Sequence, residues 1–246
     1  MTSDYDAIAA EYHQASKEHP IKQYVEAHTL LQVLGDLREK TVLDLACGEG
    51  YYTRLLKRKG AKAVVGVDLS QQMIDTARTV EAANPLGVDY QQHDVTTLGK
   101  IGNFDLVTAV YLFPYATTRQ TLTAMAQAAY LNLQPGGRLV AIVTNPAVTQ
   151  ADFARYAPYG FQMRSAAELQ DGSRIETLIR AAGVSFTLET YHWLKETYEA
   201  VLQDCGFQQL AWHSVQVSET GLAIYGAEHW QELLAKPFGI VLAGSR

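Results

Sequence analysis

The chain has 246 residues, and its hydrophobic fraction of 48% and charged fraction of 19% are ordinary for one globular domain with a deep core. Its formal net charge of −6 argues against a large nucleic-acid interface, which needs a basic face. No apolar stretch is long enough to span a bilayer, and the N-terminal sequence MTSDYDAIAAEYHQ lacks the apolar core of a secretion signal. We therefore expect a cytoplasmic protein with free thiols at Cys47 and Cys205 and without membrane or nucleic-acid partners.

The first part of the chain predicts two helices followed by alternating strands and helices. The helices, at about residues 5–16 and 21–35, would together form a helical cap that consists of residues 1–36. Apolar, β-branched runs then predict buried strands: TVLDLA (41–46), AVVGVDL (63–69), VDYQQHD (88–94), FDLVTAVYLF (104–113) and RLVAIVT (138–144). Helical patterns lie between most of these runs. The alternation predicts an α/β fold with a mostly parallel, doubly wound sheet over residues 37–145.

The pattern changes after Asn145. FQMRSAAEL and VSFTLETYHW are extended segments in a predicted lid and substrate insertion at residues 146–192. The aromatic run FARYAPYGF in the same region predicts a cover for a flat apolar or heteroaromatic substrate. Residues 193–246 predict a helix, KETYEAVLQDCGF, and two closing strands, QQLAWHSVQVS and GIVLAGS. Two successive strands with no helix between them predict an antiparallel end to the sheet.

A glycine-rich turn follows the first predicted strand, in the sequence VLDLACGEGYYTRLL. It contains Gly48 and Gly50 but has Thr53 where a dinucleotide-binding turn has its third glycine. Asp44 lies just upstream and Glu49 lies between the glycines, and carboxylates are unfavourable neighbours for a pyrophosphate. The turn therefore favours a ligand with a positive charge over NAD.

Two further acids lie at the ends of the next strands. Asp68 follows the glycines by about twenty residues, where a carboxylate can accept both hydroxyls of a ribose. Asp94 ends the third strand, within reach of an adenine amino group. A ribosyl adenine with a cationic, amino-acid-like tail fits these residues, and S-adenosylmethionine (SAM) is such a ligand.

Five motifs together resemble those of class I SAM-dependent methyltransferases: VLDLACGEG, VVGVDLS, HDV, FDLVTAVYLF and LQPGGRL. The resemblance implies a Rossmann-like sheet of order 3-2-1-4-5-7-6 with strand 7 antiparallel. It implies that Asp44 helps to hold the ammonium of SAM through water or the backbone, that Asp68 binds the ribose, and that Asp94 borders the adenine. The full set of implied cofactor-binding residues in the core is Asp44, Ala46, Gly48, Gly50, Asp68, Leu69, Met73, Asp94, Val95, Val110 and Tyr111.

The N-terminal sequence YDAIAAEYHQ is also similar to that of small-molecule enzymes of this class. In those relatives the helix closes over the cofactor, which would bring Tyr12 to the methyl donor; Tyr24 is a second candidate of this kind. The segments YVEAHTLLQVLGDLREKTVLDLACGEGYYTRLLKRKGA and VVGVDLSQQMIDTAR resemble the N-methyltransferases of toxoflavin biosynthesis. That likeness covers most of the first 146 residues and does not extend to the predicted substrate insertion.

Methyl transfer requires alignment of the acceptor with the methyl group more than it requires acid–base chemistry. A nitrogen acceptor needs little help, whereas a hydroxyl needs a base. The sequence contains no obvious base, which favours N-methylation of a small molecule; Tyr12, Tyr111 and His192 are the candidate catalytic residues, and His13 is a further one. O-methylation, protein methylation and a SAM-binding module without activity remain alternatives. No metal site is expected, and the oligomeric state is open.

Overall fold

A seven-stranded sheet forms the centre of the computed structural model, which describes residues 11, 12, 14, 15 and 19–246. The strands are β1 (Thr41–Leu45), β2 (Ala63–Asp68), β3 (Asp89–Gln92), β4 (Phe104–Val110), β5 (Leu133–Thr144), β6 (Phe161–Arg164), β7 (Ser173–Ala181), β8 (Val184–His192), β9 (Gln208–His213) and β10 (Gly239–Ser245). The central order is β3-β2-β1-β4-β5-β10-β9. Strand β10 is antiparallel to both neighbours, while β1 to β5 are parallel. The predicted fold class is confirmed.

Helices cover both faces of this sheet. They are α1 (Ala27–Leu34), α2 (Tyr51–Arg58), α3 (Gln71–Ala83), α4 (Arg119–Asn132), α5 (Lys195–Asp204), α6 (Glu219–Tyr225) and α7 (Ala227–Ala235). A π-helical turn, Lys22–Glu26, leads directly into α1. Strand β1 shows why both faces are covered, because Val42 packs with α1 and α2 while Leu43 and Leu45 pack with α4 and α5.

In the described part of the chain, 3₁₀ helices lie at the edges of the core and the lid, at Val95–Thr97, Phe113–Tyr115 and Gln150–Tyr159. The predicted cap helix at residues 5–16 lies mostly outside the described residues, as do Tyr5 and His13. Residues 11, 12, 14 and 15 of that segment are helical.

A second, three-stranded antiparallel sheet forms the insertion between β5 and α5. Its order is β6-β7-β8, and we call it the lid sheet. The sequence pattern predicts β6 and β8 as extended segments but does not predict β7. Strand β7 was missed because the turn that joins it to β8 has an unusual sequence. Ala182 and Gly183 both have positive φ, as in a type I′ turn, but Ala–Gly is not one of the usual sequence signals for a hairpin turn.

The closing part of the sheet corrects one prediction. Helices α6 and α7 lie between β9 and β10, so these strands are not directly consecutive. The sequence pattern of α6 and α7 is weak because both helices are short and Gly226 separates them. Trp230, on α7, is fully buried and stacks on Tyr159, which joins this helical pair to the insertion.

Within the described ranges, none of the helices combines the length and the apolar character needed to cross a bilayer. Over the same ranges there is no group of three or more histidine, cysteine or acidic side chains that could hold a metal ion. Cys47 and Cys205 are both buried and free.

Candidate active site

A cavity of about 890 Å³ opens at the carboxyl ends of the parallel strands. It lies between the loops of the core sheet, the N-terminal helical segment and the lid sheet, at the point where the strand order reverses between β1 and β4. Its volume is near the upper end of the range, roughly 300–1,000 Å³, typical of small-molecule sites. Ten of the predicted site residues line it: Tyr12, Ala46, Gly48, Asp68, Leu69, Met73, Asp94, Val95, Val110 and Tyr111.

The two glycines after β1 have different surroundings. Gly48 has a φ of 54°, and a Cβ built on it would meet no described atom within 4 Å. Because Gly48 also lines the cavity, its backbone presents an open cradle to a ligand. Gly50 has a φ of 84° and begins α2, and a Cβ there would collide with the hydroxyl of Tyr90. Gly50 therefore serves packing and the helix start, away from the cavity wall.

The carboxylate of Asp68 is fixed by backbone amides on both sides. Gly48 N donates to Oδ2 at 2.8 Å, and Ser70 N donates to Oδ1 at 2.9 Å. Ser70 in turn caps α3 by accepting from Met73 N at 3.1 Å. The end of β2, the glycine turn and the start of α3 are thus held together, and this arrangement positions the acid, Leu69 and Met73 in one wall.

Asp94 plays the same local role at the end of β3. Its Oδ1 accepts from Thr96 N at 2.8 Å and from Thr96 Oγ1 at 2.7 Å, which caps the short helix Val95–Thr97. Asp94, Val95 and Thr96 all line the cavity. This helix cap holds the Asp94 carboxylate at the edge of the sheet, next to the apolar side chain of Val95. Together the two side chains form a suitable surface for an adenine.

Asp44 lies beneath the glycine turn and not in the cavity wall. It is 1% exposed, and its two oxygens accept hydrogen bonds from Thr53 Oγ1 and Thr108 Oγ1, each at 2.7 Å. Thr53 occupies the place of the third glycine, so this substitution has a structural use. The burial of Asp44 leaves no room for direct contact with a ligand, so the expected help of Asp44 in holding a ligand ammonium, through water or the backbone, stays a prediction.

Burial raises the pKa of Asp44 to about 6, although the two threonine hydroxyls oppose the shift. The folded protein then holds a proton that the unfolded chain releases between about pH 4 and pH 6, so stability falls as pH rises through that window. Two pKa units correspond to roughly 3 kcal/mol. We expect Asp44→Asn to stabilise the ligand-free protein by about 1–3 kcal/mol at pH 7.5, or several degrees in melting temperature.

Thermal unfolding of wild type and Asp44→Asn at pH 7.5 and pH 4 measures this effect. The difference between the two proteins should shrink to roughly 0.5 kcal/mol near pH 4, where Asp44 is protonated in the folded state and about half ionised in the unfolded chain. Asp89→Asn, an exposed change at the start of β3, is the control and should show no such convergence. If Asp44→Asn melts below wild type at both pH values, the buried charge of Asp44 does not destabilise the folded protein as argued here.

Two further predicted residues lie in packing positions outside the cavity wall. The ring of Tyr24 packs on Tyr225 with centroids 5.9 Å apart, because this part of the helical segment lies on α6. His192 is buried at the end of β8, where its neighbour in register is Ser173. Burial lowers the pKa of His192. Neither residue lines the cavity, so the expected contacts of Tyr24 with the cofactor and of His192 with the substrate stay predictions that this geometry does not favour.

A charged and aromatic cluster in the cavity was not predicted from the sequence. Glu26 is buried and accepts hydrogen bonds from Tyr52 Oη at 2.7 Å and from Tyr111 Oη at 2.5 Å. Lys22, one helical turn earlier, lies 3.6 Å from Glu49 and 4.4 Å from the ring centroid of Tyr51. The i, i+4 spacing of a cation and an acid in the sequence KQYVE was the available signal.

Burial controls the ionisation of this cluster. It raises the pKa of Glu26, against the opposing effects of the two tyrosine hydroxyls and of Lys22. It lowers the pKa of Lys22, against the charges of Glu49 and Glu26. It also raises the pKa of Tyr12 and of Tyr111, so both phenols stay protonated near neutral pH. These tyrosines are therefore donors and packing surfaces, and Glu26 is the carboxyl that the hydroxyls of Tyr52 and Tyr111 orient in the cavity.

Backbone strain marks the same point of the sheet. Ala46 and Tyr111 have φ values of 58° and 57°, and they follow the adjacent strands β1 and β4. Tyr111 N donates to Ile142 O at 2.8 Å, which fixes this turn and aims the side chain at Glu26. Non-glycine residues in this conformation are uncommon and occur often at functional sites. Both residues line the cavity.

Part of this chain is similar to known methyltransferases. Residues 42–137 match the methyltransferase-domain family. The chain is 34% identical over 104 residues to a ubiquinone biosynthesis O-methyltransferase of Coxiella burnetii, covering 42% of this chain and 43% of that protein. It is 29% identical over 206 residues to a demethylmenaquinone methyltransferase of Lactococcus lactis, covering 74% and 78%. The chain thus spans less than half the length of the first relative and about three quarters of the second.

Solved structures agree with the fold. The crystal structure of an S-adenosylmethionine dependent methyltransferase from Mesorhizobium loti superposes with a TM-score of 0.62 and 22% identity, covering 88% of this chain and 95% of that one. The chain therefore has the fold of a class I methyltransferase, and residues 42–137 are similar to the methyltransferase-domain family. None of these three proteins is named for toxoflavin biosynthesis, so that finer resemblance is not shown.

Proposed function

We propose that this protein transfers the methyl group of SAM to a small molecule. The observation that carries the proposal is the convergence of Gly48, Asp68 and Asp94 on one cavity wall, within the segment that matches methyltransferase domains. The open cradle at Gly48 suits a ligand that lies directly on the backbone. The names of the two curated relatives and of the Mesorhizobium structure support the same activity and cofactor.

The residues present fit SAM, which supplies an electrophilic methyl group on a sulfonium. Asp68 would accept the ribose hydroxyls, and Leu69, Met73 and Val95 would border the adenine. The methionine end would lie over Gly48. Tyr12, Tyr111 and Val110 would surround the methyl group, and aromatic faces beside a carboxylate are favourable surroundings for a cation.

For the acceptor we favour a nitrogen of a flat or heteroaromatic metabolite. A nitrogen lone pair attacks without prior loss of a proton and becomes positively charged as the sulfonium loses its charge. The Glu26 carboxylate, oriented by Tyr52 and Tyr111, would stabilise that charge. This role requires only an oriented anion in the cavity.

Oxygen methylation is the second candidate, because Glu26 has a raised pKa and could accept a proton from a hydroxyl. The Coxiella relative is named an O-methyltransferase, which favours the same alternative. The two candidates differ in the product: a C–O bond is formed in one and a C–N bond in the other.

The test combines binding and turnover. Calorimetry should show that the purified protein binds SAM and does not bind NAD. Incubation with SAM carrying a ¹³C-labelled methyl group and a metabolite extract should then give a product that gains one labelled methyl. The carbon chemical shift of that methyl distinguishes nitrogen from oxygen. Absence of SAM binding would refute the proposal, while SAM binding without any labelled product would point to a module that only senses SAM.

A further inference from the structure

An ion pair lies beside the glycine turn, in the wall of the cavity. Glu49 follows Gly48 directly in that turn, and its Oε1 is 3.6 Å from Nζ of Lys22, on the π-helical turn that leads into α1. Both charged residues line the cavity, and 10% of the Lys22 side chain and 7% of the Glu49 side chain remain exposed. The pair therefore places an ammonium and a carboxylate side by side, next to the backbone cradle at Gly48.

Aromatic rings and acids hold the Lys22 ammonium at this place. Its Nζ lies 4.4 Å from the ring centroid of Tyr51 and 5.5 Å from that of Tyr12, within the range of an attractive contact between a cation and a ring face. Burial lowers the pKa of Lys22, and the charges of Glu49 and Glu26 oppose this shift. A ligand carboxylate would act in the same direction as these two side chains, so its binding favours the charged form of Lys22.

Within the described ranges, Lys22 is the only lysine or arginine that lines the cavity. The acidic side chains of the same lining are Glu26, Glu49, Asp68 and Asp94. His19 also lies there, but burial and the charge of Lys22 lower its pKa to about 4, so it is neutral at pH 7. A ligand carboxylate that enters this acidic cavity therefore finds a cationic side chain at Lys22 and at no other described position.

The amino-acid end of SAM carries the complementary pair of charges. Its ammonium and its carboxylate are attached to one carbon atom, so they are neighbours in the ligand, as the two groups of the ion pair are in the protein. An ammonium has three donors and a carboxylate has two acceptor oxygens, so Lys22 and Glu49 can each bind a ligand group and stay paired. In that arrangement every buried charge has an opposite charge beside it, which reduces the cost of burial.

We propose that Lys22 binds the carboxylate and Glu49 binds the ammonium of the amino-acid end of SAM. This inference rests on the proposed function, because it places the methionine end of the cofactor over Gly48. The two residues come from different parts of the chain, Lys22 from the N-terminal helical segment and Glu49 from the glycine turn. The cavity therefore selects the complete cofactor over adenosyl compounds that lack either charged group.

Four adenosyl thioethers test the assignment by calorimetric titration of the full wild-type chain. S-adenosylhomocysteine carries both charged groups, its decarboxylated analogue keeps only the ammonium, its deaminated analogue keeps only the carboxylate, and methylthioadenosine has neither. We expect S-adenosylhomocysteine to bind at least about tenfold more tightly than each analogue that lacks one group, since a hydrogen bond between charged groups changes affinity by about that factor or more. Equal affinities for S-adenosylhomocysteine and methylthioadenosine would overturn the inference without any substitution.

Two substitutions assign each ligand group to its own residue. Lys22→Met keeps the apolar stem and removes the charge, so it should weaken S-adenosylhomocysteine and the deaminated analogue by at least about tenfold and change the decarboxylated analogue by less than about threefold. Glu49→Gln should give the reverse pattern, with the loss confined to the two compounds that carry an ammonium. Methylthioadenosine should bind both variants as it binds wild type, because the adenosine part of the site is unchanged.

Control variants separate recognition from a structural role. Lys22→Arg keeps the charge and should retain the preference for S-adenosylhomocysteine over its decarboxylated analogue. Lys62→Met removes the charge of an exposed lysine that pairs with Glu39, and it should leave all four affinities unchanged. The inference is wrong if that preference persists in Lys22→Met, or if either variant loses affinity for all four compounds equally.

Failure of this inference and failure of the proposed function give different results. If none of the four adenosyl compounds binds the wild-type chain, the proposed function fails together with the inference. If methylthioadenosine binds as tightly as S-adenosylhomocysteine, the cavity still binds adenosyl thioethers and only the roles of Lys22 and Glu49 are refuted.

Discussion

Asp68→Ala is expected to weaken SAM binding by about 100-fold or more. Two charge-assisted hydrogen bonds to a ribose contribute about 1.5–3 kcal/mol each, and every 1.4 kcal/mol is a factor of ten. The same carboxylate also accepts from Gly48 N and Ser70 N, so its removal loosens the glycine turn that lies under the methionine end. The two effects add to the loss of affinity.

Calorimetric titration of SAM measures this prediction. Asp68→Asn keeps one acceptor oxygen and should lose about tenfold, an intermediate value. Asp75→Ala removes an exposed carboxylate of α3 seven residues later and should leave the dissociation constant unchanged. The cofactor assignment fails if Asp68→Ala binds SAM as tightly as wild type does.

The parts of this molecule that the sequence predicts well are those encoded locally. The strand ending at Leu45, the turn at Gly48 and the acid at Asp68 follow one another within about 25 residues, and each has its own residue signal. Because parallel strands bring their carboxyl ends to one edge, such signals also predict which side chains meet. The central sheet and the residues at its edge are therefore accessible to sequence reasoning.

The remaining features depend on contacts between distant segments. The hydrogen bond from Tyr111 to Glu26 joins residues 85 positions apart, and no local pattern announces it. Thr144 of β5 and Thr177 of the lid sheet lie 33 positions apart, and only the folded chain brings both to one cavity lining. Asp44 shows the converse, since a residue in the right motif proves to be covered by Thr53 and Thr108.

Glu26→Gln is expected to lower turnover by about 100-fold, the lower end of the range for a positioned charged or proton-accepting group. The glutamine side chain has almost the same shape, but it carries no charge and offers one carbonyl oxygen to the two tyrosine hydroxyls. The affinity for SAM should change by only a few-fold. Rates are measured with the acceptor identified by methyl labelling, and Glu228→Gln, exposed on α7, is the control.

The pH profile separates a functional Glu26 from a structural one. Because the pKa of this carboxyl is raised, its ionised form is lost as pH falls through a value above the ordinary carboxyl range, and wild-type kcat/KM should fall there. Glu26→Gln should lack this acid limb. Tyr111→Phe removes a hydrogen bond that lowers the pKa of Glu26, so its acid limb should move to higher pH. The opposite outcome is identical pH profiles in wild type and Tyr111→Phe, together with full turnover in Glu26→Gln. In that case Glu26 and its two tyrosines serve only packing, and the proposed interaction of the Glu26 carboxylate with the acceptor is wrong.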